Sequence, residues 1–237
     1  MPTNKIAIIG AMECEISSIK QELKDLKEIV YADLQIYTGN IKDNFIILSR
    51  SGVGKVNAAL NTQYIIDTFK PNMVINIGVA GGVDKCLNIG DIVIGTNLVQ
   101  HDFDITPLGY AKGCMCIGKD KSKSTKYYCD NNLIEKFQNI LEENVPKNKI
   151  HQGVIASGDQ FIADRDVKKE INESFDALAV EMEGCAIAQV ATRNKIPFIV
   201  IRAISDLADG DMSNAHAEFE KYSQVSSQAI KLFVDTI

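Results

Sequence analysis

Tryptophan is absent from this sequence, and histidine occurs three times, at His101, His151 and His216. The six cysteines, Cys14, Cys86, Cys114, Cys116, Cys129 and Cys185, are scattered. Only Cys114-Met115-Cys116 forms a close pair, and no histidine or second cysteine pair stands at a spacing that would complete a metal site. No structural metal is expected, and a reduced cytosolic protein of this size needs no disulfide. Long apolar runs are also missing. The first, Ile6-Ala7-Ile8-Ile9-Gly10, is too short to span a membrane and no small-residue cleavage site follows it, so the expected compartment is the cytoplasm. Positive charge is in deficit, with 25 Lys and Arg against 31 Asp and Glu and a net charge of −6. That balance excludes the electrostatic footprint of a nucleic-acid binder and disfavours docking on anionic membranes.

What remains is an ordinary globular composition. Hydrophobic residues make up 46% and charged residues 24% of 237 positions, enough for a sizeable core. Short Ile- and Val-rich runs at 5–10, 34–39, 44–49, 73–78, 91–97, 150–157, 177–181 and 198–203 predict strands. Amphipathic stretches at 13–26, 54–69, 132–143, 166–174, 184–193 and 214–236 predict helices. The pair 34–39 and 44–49 reads as a hairpin. The segment 100–130 has no clear period, which inside a compact domain points to a functional or interfacial role. Strands without strict alternation suit a sheet covered on both faces. The expectation is one domain over 1–237, a three-layer α/β/α fold with a mixed, largely parallel central sheet.

In such sheets ligands gather beyond the carboxyl ends of the strands. Four places carry polar residues there. Gly10-Ala11-Met12-Glu13-Cys14-Glu15 closes the first strand, and its acids also suit a helix N-terminus. Ser51-Gly52-Val53-Gly54-Lys55 and Gly78-Val79-Ala80-Gly81-Gly82 follow two others and read alone as tight turns. Neither is a phosphate-binding P-loop, and the first is not a dinucleotide fingerprint; no cofactor is expected. Val180-Glu181-Met182-Glu183-Gly184 sets two carboxylates at a strand end, where ribose hydroxyls are suitable partners. Arg202-Ala203-Ile204-Ser205-Asp206 ends the last strand with the composition of a catalytic carboxylate.

With Ser157-Gly158-Asp159-x-Phe161-Ile162, these motifs in this order resemble the 5′-methylthioadenosine/S-adenosylhomocysteine nucleosidases, within the purine nucleoside phosphorylase superfamily. The likeness covers nearly the whole chain. It implies hydrolysis of the N-glycosidic bond of 5′-methylthioadenosine and S-adenosylhomocysteine, and by extension of 5′-deoxyadenosine. Asp206, held by Ser205, would be the general acid at purine N7, and Glu15 the ionised general base for water. Burial would favour the proton that Asp206 must carry. Phe161 would stack on adenine and the Ile162 backbone would bind its edge. Met182 and Glu183 would hold the ribose, with Glu181 and Arg202 close by. Met12, Val53 and Val79 would wall the pocket. The resemblance further implies that Ile105 and Leu108 complete the 5′-substituent pocket of a neighbouring subunit, hence a homodimer. The apolar Ile105, Leu108, Met115 and Ile117 in an irregular segment agree with that.

The sequence departs from the family pattern at Val79, where many members have serine, and at Leu108 and His216, where an aromatic is expected; Cys116 falls near an expected proline. Three other readings stay open. A phosphorolytic enzyme would need several arginines around phosphate, and only Arg50 is near. A futalosine-type hydrolase would keep the same acid and base. A non-catalytic purine-binding protein would have no need of both Glu15 and Asp206.

Overall fold

The computed structural model describes residues 4–115, 120–210 and 215–236, the side chains of residues 215 and 216 excepted. Cys116, Ile117 and the His216 side chain lie outside the described residues.

Among the described residues ten strands form one mixed sheet. In chain order they are β1 (Lys5–Gly10), β2 (Lys24–Tyr31), β3 (Leu34–Ile41), β4 (Asn44–Arg50), β5 (Met73–Gly82), β6 (Ile92–Gln100), β7 (Tyr127–Tyr128), β8 (Ile150–Ser157), β9 (Ala177–Glu181) and β10 (Phe198–Asp206). They run β10-β6-β8-β9-β5-β1-β4-β3-β2, with β7 beside β6. The pairs β4 with β1, β1 with β5, β5 with β10, β6 with β8 and β8 with β9 are parallel; β6 with β10, β5 with β9 and the outer pairs β2–β3, β3–β4 and β6–β7 are antiparallel. Because β10 pairs with both β5 and β6, strands β5, β10, β6, β8 and β9 close into a ring.

Among the described residues six α-helices cover the two faces: α1 (Glu13–Glu22), α2 (Lys55–Phe69), α3 (Asn131–Asn144), α4 (Arg165–Phe175), α5 (Gly184–Asn194) and α6 (Ala215–Val234). Helix α6 packs on α1, α3, β5 and β10, while α2 packs on α5 across the sheet's other face. Ile6, Ile8, Ile9, Val74, Ile75 and Ile199 are fully buried, as expected of strands covered on both sides. The Phe137 and Phe233 rings stack 3.9 Å apart between α3 and α6. Among the described residues no helix is long and apolar enough to cross a membrane.

Three expectations need correction. The helix predicted over 13–26 stops at Glu22, and the chain turns at Leu23 into β2, an edge strand that the sequence did not reveal. Its residues are exposed almost throughout, so its conformation comes from pairing with β3 and from a two-residue turn in which Ala32 and Asp33 both have positive φ. Gly78–Gly82 is not a turn but the end of β5, paired with β10 and β9. Likewise β10 runs on to Asp206 instead of stopping at Ala203. The predicted hairpin of β3 and β4 is present.

Candidate active site

The carboxyl ends of β1, β5, β9 and β10 open into one cleft. Met12, Glu15, Val53, Val79, Phe161, Ile162, Glu181, Met182, Glu183, Ser205 and Asp206 all line it. These are the residues singled out above, gathered from positions far apart in the chain.

Glu15 stands in the first turn of α1 and is buried. Its Oε2 accepts the backbone N–H groups of Ala11 at 2.6 Å and Met12 at 3.0 Å, and its Oε1 accepts that of Val79 at 3.2 Å. Gly78 makes this seat possible, since a Cβ there would lie 2.5 Å from Oε1. Burial pushes the Glu15 carboxyl above the ordinary glutamate range; the Arg202 charge and the three N–H groups oppose that rise without cancelling it.

Asp206 reaches the cleft through an irregularity in β10. Ile204 pairs with Ala80 and Asp206 with Gly81, so Ser205 is the extra residue. Such a bulge re-aims the side chain that follows it. Ser205 Oγ donates to Asp206 Oδ2 at 2.9 Å, and the Ala208 N–H donates to Oδ1 at the same distance. Glu15 faces Gly78 and Asp206 faces Gly81, three residues along one strand, a span of roughly 10 Å at the usual rise per residue. Both carboxyls line the same cleft, beside different residues of β5.

Glu181 and Glu183 also line the cleft, and their environments push their proton affinities apart. Burial alone would raise Glu181, but the Arg202 charge and hydrogen bonds from Ser157 and Arg202 outweigh it and hold Glu181 low. Glu181 also accepts the N–H groups of Glu183 at 3.1 Å and Gly184 at 2.7 Å, so its oxygens are occupied within the protein. Glu183 is pushed up to about 8 by burial and by the neighbouring Glu181 charge, and it accepts one backbone bond, from Gly54 at 2.8 Å.

Arg202 does not line the cleft. It is buried behind it, donating through Nη2 to Glu181 and Asn76, each at 2.5 Å. Removing one member of a buried pair costs about 3–5 kcal/mol, so Arg202 acts as a support for Glu181 and is not free to bind an anion. Ile105 and Leu108 also lie away from this chain's cleft, on and beside a short 3₁₀ turn (Thr106–Leu108), with Leu108 69% exposed. Phe219 of α6 is a lining residue that the sequence does not announce: its ring stands 6.1 Å from that of Phe161. It follows His216 by three residues, close to one helical turn, and nothing in the sequence tells which face of α6 meets the cleft.

This fold and this paired-carboxylate cleft define an enzyme class that handles nucleosides, and the phosphorylase superfamily model matches residues 5–237. A 5′-methylthioadenosine/S-adenosylhomocysteine nucleosidase of Staphylococcus carnosus is 41% identical over 228 residues, 96% of this chain and 97% of its own. The structure of an S-adenosylhomocysteine nucleosidase from Streptococcus pyogenes superposes with a TM-score of 0.91 at 38% identity, covering 100% of this chain and 98% of that one. A futalosine hydrolase mutant from Helicobacter pylori superposes with the same score at 33% identity, over 99% of this chain and 100% of that one. The chain belongs, within that superfamily, to the 5′-methylthioadenosine/S-adenosylhomocysteine nucleosidase family.

Proposed function

We propose that the protein hydrolyses the N-glycosidic bond of 5′-methylthioadenosine and S-adenosylhomocysteine, releasing adenine and the 5′-thio-substituted ribose. The observation that carries this reading is a single cleft lined by two buried carboxyls from different elements, Glu15 and Asp206. Cleavage leaves electrons on the purine and positive character on the sugar. Asp206 donates a proton to N7 as the C–N bond breaks. Glu15 accepts a proton from water as its oxygen bonds to the anomeric carbon, and the raised proton affinity of Glu15 suits a base. Phe161 and Ile162 receive the adenine, Met182 and Glu183 the ribose hydroxyls. Glu181 and Arg202 hold that segment in place from behind.

Water, not phosphate, is the better nucleophile here. Glu15, Glu181 and Glu183 line the cleft, the one adjacent guanidinium is bound to Glu181, and Arg50 does not reach it. A futalosine-type 5′ substituent is the second reading, supported by the likeness to the Helicobacter pylori enzyme; it shares the acid and base and differs only at the 5′ end. We further infer a cytoplasmic homodimer in which Ile105 and Leu108 border the partner's 5′ pocket. Incubating the protein with methylthioadenosine, with and without phosphate, tests the reaction. Free adenine and a free reducing sugar are expected in both; a phosphate requirement with a sugar 1-phosphate product would show phosphorolysis instead.

A further inference from the structure

Two charged residues in the motifs above take no part in the reaction. They are Lys55, which closes Ser51-Gly52-Val53-Gly54-Lys55, and Asp159, which follows Ser157-Gly158. The fold brings them together. Lys55 opens α2, and its backbone N–H donates to Asp159 Oδ1 at 2.8 Å. Its ammonium donates to Asp102 Oδ1 at 2.5 Å and to Gln100 Oε1 at 3.0 Å, and lies 3.9 Å from Asp159 Oδ2. The other Asp102 oxygen accepts the Asp159 backbone N–H at 2.8 Å. Asp102 thus grips a side chain of one loop and the backbone of another. Gln100 extends the grip to α5 through Gln189 at 3.1 Å. Beneath, Gly158 lies flat on the buried His101 ring, where a Cβ would come within 2.3 Å of Nε2, so the segment has no room to sink inward.

We propose that Lys55, Asp102 and Asp159 are positioning residues that latch the segment carrying Phe161 and Ile162 to the loop carrying Val53 and Gly54. None of the three lines the cleft. Lys55 and Asp102 are largely buried, with 16% and 14% of their side chains exposed, which spares the pair much of the screening that weakens surface ion pairs. Gly54 also donates to Glu183, so one latch registers the base half of the cleft against its sugar half. The assignment rests on the nucleosidase reading, because it gives Phe161 and Ile162 the leaving base.

The test compares Lys55→Met, Asp102→Asn, the double variant and Lys55→Arg in adenine binding by calorimetry, in steady-state kinetics and in amide exchange of residues 159–162 without ligand. Each of the first two weakens adenine binding about tenfold, ~1.4 kcal/mol, raising KM. Turnover stays within about threefold of wild type, since Glu15 and Asp206 are held by other elements. Exchange at 159–162 accelerates. The double variant loses no more than the worse single one, because the partners act as a unit, and Lys55→Arg recovers most of the affinity. If Asp102→Asn does not fold, the Lys55 variants carry the comparison. Unchanged adenine affinity and unchanged exchange in folded Lys55→Met overturn the latch. A wild-type enzyme that frees no adenine from methylthioadenosine overturns the nucleosidase reading instead, and the exchange data still decide whether the loop is latched.

Discussion

At the scale of single residues, what separates catalysis from support is whether a carboxyl has capacity left for substrate. Glu181 is tied to Arg202, Ser157 and two backbone N–H groups and has none. Glu183 accepts one bond, Asp206 two and Glu15 three, all from groups that leave these carboxyls lining the cleft. Glu15→Gln and Asp206→Asn keep shape and lose the proton chemistry. Each should reduce kcat by at least about two orders of magnitude, the lower end for one general acid or base. As mere helix or turn caps they would instead cost about 1 kcal/mol of stability with little catalytic loss. Measuring kcat together with Tm decides between these, and near wild-type turnover in either variant would remove that residue from its role. Glu183 makes a separate claim on pH. Its folded-state proton affinity is raised to about 8, so the folded protein holds that proton more tightly than the unfolded chain. The stability it contributes is complete below the unfolded carboxyl range and is lost as pH rises through about 8. Ligand-free Glu183→Gln should therefore match wild type near pH 5 and melt progressively higher than wild type as pH rises to about 8, each kcal/mol of difference moving Tm by roughly 2–4 °C for a chain of this size. Parallel Tm curves across that range would refute it.

At the scale of elements, strands covered on both faces were legible because their Ile and Val runs declare themselves. The carboxylates at their ends also suit helix termini, so it was the order of the motifs, as a family resemblance, that marked Glu15 and Asp206 among them. The hairpin of β3 and β4 apart, what failed was set by pairing. Gly78, Gly81 and Gly82 signal a turn locally, yet Arg202, Ala203 and Ile204 of β10 pair with Gly78, Val79 and Ala80 and draw the strand onward. Strand β2 has no buried stripe to announce it, and only β3 makes it a strand. The same limit hid Phe219, whose place depends on how α6 lies across the sheet. It also hid the role of Lys55, whose partner Asp102 is 47 residues away and belongs to a segment without period.

At the scale of the molecule, α2 presents apolar side chains to solvent. Val56 is 78% exposed and Leu60 53%, one helical turn apart on α2, and the Lys55–Asp102 pair ties the start of that helix to the segment that leads to Leu108. A cluster of this kind suits contact with a second copy. Val56→Asp combined with Leu60→Asp should convert a dimer in sedimentation into a monomer. It should lower kcat/KM for methylthioadenosine more than it weakens adenine binding, because the partner would border only the 5′ end. A wild-type monomer with full activity would contradict the arrangement. The ring of strands has its own consequence, for the order in which the enzyme comes into being. Strand β5 is held between β10 and β9, which follow it by about a hundred residues or more, and such non-local closure is slow. During synthesis the N-terminal half emerges first. Glu15 is therefore made early, but the guanidinium that offsets its burial arrives only with β10. On the proposed assignment, catalysis then has to wait for β10, and a nascent chain stalled before Phe198 holds Glu15 without Asp206.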